Sequence, residues 1–258
     1  MLASQRRSVI LDLVEDQGAV KVSDLVERLG VSDMTIRRDI ERLSSDGLIE
    51  RVHGGALAMG SAHTSEEPGF SAKSLLQLAQ KQAIAHAAAQ HVTPGSAIGI
   101  SAGTTTFELA RAVKDVPNLT VVTNSVPVAQ LLHESGGPGQ TIVLTGGVRT
   151  PSDALVGPVA VAALRALHVD LLFLGAHGVD ASNGLTTPNM VESETNRALV
   201  ASARHVCVLA DSSKWGIVGL STFAMLSELD LFVTDTGLPD RARASIADAV
   251  GALEIVET

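Results

Sequence analysis

The sequence predicts an α/β chain in two parts: a small helix-turn-helix domain with a β wing, then a larger domain built on a mainly parallel sheet. Three observations lead there: apolar residues at helical spacing in residues 1–57, a Gly- and Ser-rich break over 58–73, and apolar runs alternating with helical stretches over 74–258. A chain of 258 residues has room for one small and one larger core, and 45% hydrophobic against 18% charged residues describes a folded globular protein. Aromatic residues make up only 2%, so Ala, Val, Leu and Ile must build those cores.

Three short helices come first. Val9, Ile10, Leu13 and Val14 recur at helical spacing, as do Val22, Leu25, Val26 and Leu29, and then Ile36, Ile40 and Leu43. Between the second and third lies "LGVS", a glycine exit followed by Ser32 as N-cap, with Asp33 favoured in the first turn by the positive helix end. Helix, tight turn and helix lets the second helix of the pair enter a DNA major groove. With Ile36, Ile40 and Leu43 inward, Met34, Thr35, Arg37 and Arg38 lie on or beside the outer face, as candidate base and phosphate contacts. "GLIERVHGGA" then reads as a strand, a Gly-rich turn and a second strand. Such a wing places Arg51 and His53 near a phosphate backbone.

The net charge of -9 argues against nonspecific coating of nucleic acid, yet four arginines, Arg37, Arg38, Arg42 and Arg51, crowd into one helix and the strand after it. A solvated face in which they pair with Asp39, Glu41 or Asp46 is the plain alternative. The turn and the Gly-Gly wing weigh against it.

Beyond the linker, "SLLQLAQKQAIAHAAAQHV" opens the second domain with an amphipathic helix. Strands are predicted at 97–101, 120–123, 141–145, 170–175, 205–210 and 231–234, with helices in "TFELARAV", "VPVAQLLHE", "GPVAVAALRAL", "PNMVESETNRALVASA" and "PDRARASIADAV". Continuous apolar strands separated by helices imply a parallel sheet covered on both faces, with ligands outside the strands' carboxyl ends. Unusual residues collect at those ends. Ser101, Gly103, Thr104, Thr105 and Thr106 end one strand and start a helix, an arrangement of N–H groups, hydroxyls and helix N-terminus that suits phosphate. Thr123 and Asn124 end the next, Gly146 and Gly147 another, and Gly175, Asp211 and Lys214 follow later strands.

Other chemistries find little support. There is no G-x-G-x-x-G after a strand and no G-x-x-x-x-G-K-[ST], which disfavours dinucleotides and nucleoside triphosphates. No H-x-x-x-H or C-x-x-C pair points to a metal, and no cofactor is expected. His177, at a strand end, is the histidine to watch. The single cysteine, Cys207, sits in "HVCVLA" as a core residue. No run of about 18 apolar residues occurs and the N-terminus lacks a signal-peptide core, so a soluble, cytoplasmic protein without membrane contact is expected.

The stretch "VSDLVERLGVSDMTIRRDIERLSSDGLIERVHGGA" resembles the N-terminal winged helix-turn-helix of the DeoR family of bacterial transcription regulators, whose hallmark is V-S-x-x-T-[IV]-R-R-D followed by R-x-H-G-G-A. The resemblance implies that Ser32, Met34, Thr35, Arg37, Arg38, Arg51 and His53 serve double-stranded operator DNA. Gly103-Thr104-Thr105, Thr123-Asn124-Ser125, Gly146-Gly147, "LVGPVA", "GAHG" and Asp211-x-Ser213-Lys214 are similar to the family's C-terminal sensing domain. That domain is related in fold to ribose phosphate isomerase and typically binds a phosphorylated sugar or related intermediate. Carried over, the resemblance implies a phosphate held by Gly103–Thr106, Lys214 as compensating cation, Asn124 orienting the polyol, and a homo-oligomer, dimer or tetramer, acting as a repressor. The family usually has Asp where this chain has Ser101. The rival is a sugar phosphate isomerase, for which Asp180, Glu192, Glu194 and Asp211 are the available acids, without a pairing that singles one out.

Overall fold

The structure, a computed structural model, describes residues 2–17, 19–52, 55–58, 70, 74 and 76–258. It divides into two compact units, Met1–Leu76 and Gln77–Thr258.

The smaller unit runs α1 (Ala3–Gln17), β1 (Ala19–Lys21), α2 (Val22–Leu29), α3 (Asp33–Ser45), β2 (Ile49–Val52) and β3 (Gly55–Ala58). The helical spacing seen in the sequence becomes one core: Ile10, Leu11 and Val14 of α1 meet Val22 and Leu25 of α2, Ile36, Ile40 and Leu43 of α3, and Ile49 and Ala56 of the wing. Helix α3 starts where the extended Ser32 accepts the Thr35 N–H at 3.3 Å through its hydroxyl, satisfying one of the open donors of the first turn. The wing strands β2 and β3 pair antiparallel with Arg51 opposite Ala56, and β1 adds a third strand on the other side of β3 with Val20 opposite Ala56. Periodicity could not announce β1, since three residues carry no alternation and only the pairing defines them. His53 and Gly54, which the sequence reading assigned to the wing, and most of the expected linker 58–73 lie outside the described residues.

The larger unit opens with α4 (Leu78–Ala89) and continues β4 (Ala97–Ile100), α5 (Thr104–Val113), β5 (Thr120–Thr123), α6 (Val126–Ser135) and β6 (Thr141–Leu144). A short hairpin follows, β7 (Val148–Arg149) and β8 (Leu155–Val156), and then α7 (Pro158–Leu164) and β9 (Val169–Gly175). Next are β10 (Gly178–Asp180), β11 (Gly184–Thr187), α8 (Met190–Ser202), β12 (Ala203–Leu209), β13 (Ser221–Ala224), β14 (Leu231–Asp235), α9 (Asp240–Ala247) and β15 (Leu253–Val256). Seven strands form one sheet in the order β15-β14-β12-β9-β4-β5-β6, and every pairing in it is parallel.

Alternation along these strands supplies two cores. Cys207, Leu209 and Phe173 point to one face, where α4, α5 and α6 cover them through Ile84, Leu109 and Leu132. Val208, Leu172 and Leu174 point to the other, under Leu199 of α8 and Ile246 of α9. Burial in that setting pushes the Cys207 thiol well above its ordinary pKa, so it is an inert core residue.

Besides the β7–β8 hairpin, two features of this unit depart from the sequence expectation. The edge strand β15 was not anticipated, because "LEIV" is brief and only half-buried at its position beside β14. A second sheet, β10-β11-β13, is antiparallel and packs Val179, Leu185 and Phe223 into the second core. Its strands are short and carry Gly, Thr and Ser, which masks them as loops in the sequence.

Candidate DNA and effector sites

On the smaller unit, α3 buries Ile36, Asp39, Ile40 and Leu43 and turns Met34, Arg37 and Arg38 to solvent, with Met34 71% exposed. Thr35 is half-buried beside them, its hydroxyl 2.8 Å from that of Ser32. The arginines divide by partner. Arg37 is held by Asp33 one turn back, which raises its already high pKa. Arg51 reaches from β2 to Glu41 at 3.0 Å, tying the wing to α3, and Arg42 lies 3.3 Å from Asp46. These pairs are exposed and therefore weak, so phosphate can replace the carboxylates at little cost. Arg38 makes no ion pair among the described residues. The plain alternative thus describes part of the unbound state, but Asp39 is not available to α3's own arginines. It is committed to Arg6 of α1, with side-chain exposures of 11% for Arg6 and 7% for Asp39.

That pair brings α1 to the candidate DNA face, which the sequence reading did not foresee. A groove of about 440 Å³ runs between the two helices, lined among others by Arg6, Arg7, Thr35, Arg38 and Arg42. The available signal was positional: Arg6 and Arg7 precede the buried Ile10 and Leu11 by four residues, which places them on the packed side of α1.

On the larger unit the topology singles out one crevice. From β4 the chain moves to β5 and β6 on one side, and from β9 it moves to β12 and β14 on the other, so the strand order reverses between the neighbours β4 and β9. Open parallel sheets bind ligands outside the carboxyl ends of such a pair. Ser101 and Gly175 leave those two ends and touch: the Gly175 N–H donates to the Ser101 hydroxyl at 3.0 Å. Gly103 then caps α5 with φ +152 and no side-chain cap, a conformation that L side chains rarely adopt. Among the described residues the N–H groups of Thr104 and Thr105 have no intramolecular acceptor, leaving the positive end of α5 open.

The other expected residues take different parts. The Thr106 hydroxyl donates to the Ser101 and Gly103 carbonyls, and the Thr123 hydroxyl to the Ile100 carbonyl, all from fully buried positions. Asn124 is also fully buried; its side-chain oxygen accepts the Ala102 N–H at 2.9 Å and its amide donates to the Leu155 carbonyl at 3.2 Å. Asn124, expected to orient a polyol, thus fastens the ends of β4 and β5 to the β7–β8 hairpin. Thr106 and Thr123 support the loop in the same way, through their hydroxyls. Gly147, at φ +123, is where a Cβ would lie 2.6 Å from the Val156 carbonyl, so its constraint is hairpin packing; Gly146 precedes it at φ +74. Lys214 ends a 3-10 turn, Ser212–Lys214, capped by the Asp211 carboxylate, and makes no ion pair among the described residues.

The acids of the rival isomerase reading are spread over separate local roles. Asp180 accepts N–H groups from Ser182 and Asn183 in a turn, Asp211 caps the 3-10 turn, Glu192 lies in the first turn of α8, and Glu194 is exposed further along it. Among the described residues no cluster of three His, Cys, Asp or Glu side chains could hold a metal ion, and no helix is long and apolar enough to cross a membrane.

Comparison with known proteins agrees with this division. Residues 6–62 match the DeoR-like helix-turn-helix domain and residues 76–236 the DeoR C terminal sensor domain. The HTH-type transcriptional regulator GlpR of Haloferax volcanii is 40% identical over 96% of this chain and 96% of its own. A putative aga operon transcriptional repressor of Escherichia coli O157:H7 is 36% identical over 92% and 87%, and the glycerol-3-phosphate regulon repressor of Escherichia coli K12 is 32% identical over 93% of each. Ribose 5-phosphate isomerase from Plasmodium falciparum aligns over 54% of each chain with 16% identity and a TM-score of 0.39, too distant a likeness to carry function. With both domain types matched in order and relatives at this identity along almost the whole length, the chain belongs to the DeoR family of DNA-binding transcriptional regulators.

Proposed function

We infer that this regulator grips double-stranded operator DNA with the outer face of α3 and the wing, and that a phosphorylated sugar or related metabolite bound to the larger unit changes that grip. One observation carries the second half: the open N-terminus of α5 lies at the β4/β9 switch point, where Gly175 of β9 approaches Ser101, Ala102 and Thr106 of the loop that starts the helix. N–H groups and helix dipole together favour a dianion there. Lys214 is the cation that would compensate its remaining charge, while Ser101, Thr106, Thr123 and Asn124 hold the rim in shape. On the DNA side, Met34, Arg37 and Arg38 are the exposed contacts, Ser32 and Thr35 fix the start of α3, and Arg51 serves the backbone together with His53 of the same family motif.

Repression is the mode that the names of the aga operon and glycerol-3-phosphate regulon relatives support. A homo-oligomer would set two winged helices on paired half-sites, and a coupling of about 1–3 kcal/mol between effector and DNA would change affinity roughly 5- to 150-fold.

The test is fluorescence anisotropy on a labelled duplex from upstream of the protein's own gene, with a panel of sugar phosphates and glycerol 3-phosphate titrated in. One phosphorylated compound should shift operator affinity, and its dephosphorylated form should not. Lys214→Ala should bind the duplex as the wild type does and need at least tenfold more of the compound for the same shift. Loss of DNA binding in a well-folded Lys214→Ala protein would refute this division of labour.

A further inference from the structure

The groove between α1 and α3 holds more positive charge than its own acids can balance. Four arginines line it, Arg6, Arg7, Arg38 and Arg42, against the single carboxylate of Asp39, and that carboxylate is spent on Arg6. Three guanidinium groups remain. Arg7 and Arg38 make no ion pair among the described residues, and Arg42 makes one exposed contact to Asp46 at 3.3 Å. The N-terminal half of α1 carries no acid, since Asp12 comes first, so no carboxylate of that half neutralises Arg7. Arg7 is half-buried rather than extended into solvent, and it sits one turn before Ile10 and Leu11, which pack into the core. Its stem is thus directed along the α3 side of α1. The same groove is bordered by Ser32, Met34 and Thr35, the start of the helix that addresses DNA bases.

We propose that this groove seats a DNA backbone phosphate at the edge of the major groove, gripped by Arg7 of α1 together with Arg38 and Arg42 of α3. The proposal rests on the reading of α3 as the recognition helix. A phosphate is the anion that such docking delivers, because the backbone flanks the groove that α3 enters, and the planar guanidinium fork matches phosphate oxygens in two-point contacts. Arg6 lies in the same groove but is withheld by Asp39, which makes it a positioning residue that fixes α1 against α3. Arg7 would then contribute affinity without sequence preference and extend the footprint beyond the recognition helix and the wing.

Salt dependence separates this role from a structural one. Wild type, Arg7→Gln and Arg7→Lys would be titrated by anisotropy on the upstream duplex and on a scrambled duplex of equal length, between 50 and 200 mM KCl. Each phosphate contact contributes about 0.9 to the slope of log affinity against log salt, so Arg7→Gln should lower the slope by about 0.9 on both duplexes. The wild-type advantage would shrink about 3.5-fold across that fourfold range of salt. The affinity ratio between the two duplexes should not change, and Arg7→Lys should keep the wild-type slope. A wild-type slope in Arg7→Gln overturns the proposal, as does an altered duplex ratio, which would mean base contact. Equal losses in the Gln and Lys variants together with a lowered melting temperature would mean packing and overturn it too. A wild-type protein that binds neither duplex would overturn both the proposal and the reading of α3 on which it rests.

Discussion

At the scale of single residues, the decisive feature of the smaller unit is the pairing of Arg6 with Asp39. Both side chains are largely withdrawn from water, so each has given up hydration that only the other replaces. Removing one partner leaves a desolvated charge, and Arg6→Ala or Asp39→Ala should each lower stability by about 3 kcal/mol. Urea denaturation of the full chain, followed by a probe in the smaller unit, measures this. A double replacement by Met and Leu should cost less than either single one, because it leaves no charge behind. If both single variants stayed within about 0.5 kcal/mol of wild type, the pair would be no more than a surface contact. Asp39 was visible in the sequence as part of the "TIRRD" run, but its partner was not, since the two residues lie 33 positions apart. Charge counting along the chain offered Arg37, Arg38 and Arg42 as nearer partners, and only packing of α1 on α3 selects Arg6.

At the scale of elements, turns carry chemistry that periodicity does not report. The hairpin β10–β11 is held by Asp180, whose carboxylate accepts the backbone N–H of Asn183 at 2.8 Å, that of Ser182 at 2.9 Å, and the Asn183 side-chain amide at 2.8 Å. The Asn183 N–H is the chief reason that the Asp180 pKa lies below the ordinary carboxylate range. A depressed folded pKa means that this contribution is present above the unfolded value of about 3.9 and is lost as pH falls through the lower folded value. Asp180→Ala should therefore melt below wild type at pH 7, and the gap should close as pH is lowered through the acid range below 4. A gap that is the same at pH 7 and at pH 3 would show that the charged form adds nothing. The six strands read from apolar runs all occur in the parallel sheet; burial on both faces writes a continuous signal in the five inner ones, while β6, an edge strand with no buried residue, shows it only as its apolar "IVL" run. Strands such as "GLTT" at β11 and "STFA" at β13 are stabilised by pairing with each other across more than thirty residues, and no local signal accompanies that.

At the scale of the whole molecule, two units with separate cores imply two cooperative transitions. Scanning calorimetry should resolve them. An effector that binds only the larger unit raises the stability of that unit by about 2.7 kcal/mol at 100 times its dissociation constant, while operator duplex raises that of the smaller one. An effector that moved the smaller unit's transition alone would place the sensing site in the wrong half of the chain. The sequence by itself determined the family, the order of the two domains, the third helix with its arginines, and the strand-end loop Gly103–Thr106, because each is written locally in spacing, caps and glycines. Tertiary structure alone decided how those residues are placed and what they bond to. The adjacency of β4 and β9 sets their carboxyl ends side by side, the burial of Asn124 and Thr123 ties them to the loops around those ends, and the packing of α1 on α3 sets Arg7 in one groove with Arg38 and Arg42. Those outcomes depend on which distant segments meet, and that is fixed by burying two faces of a sheet and one face of each helix rather than by any stretch of sequence read alone.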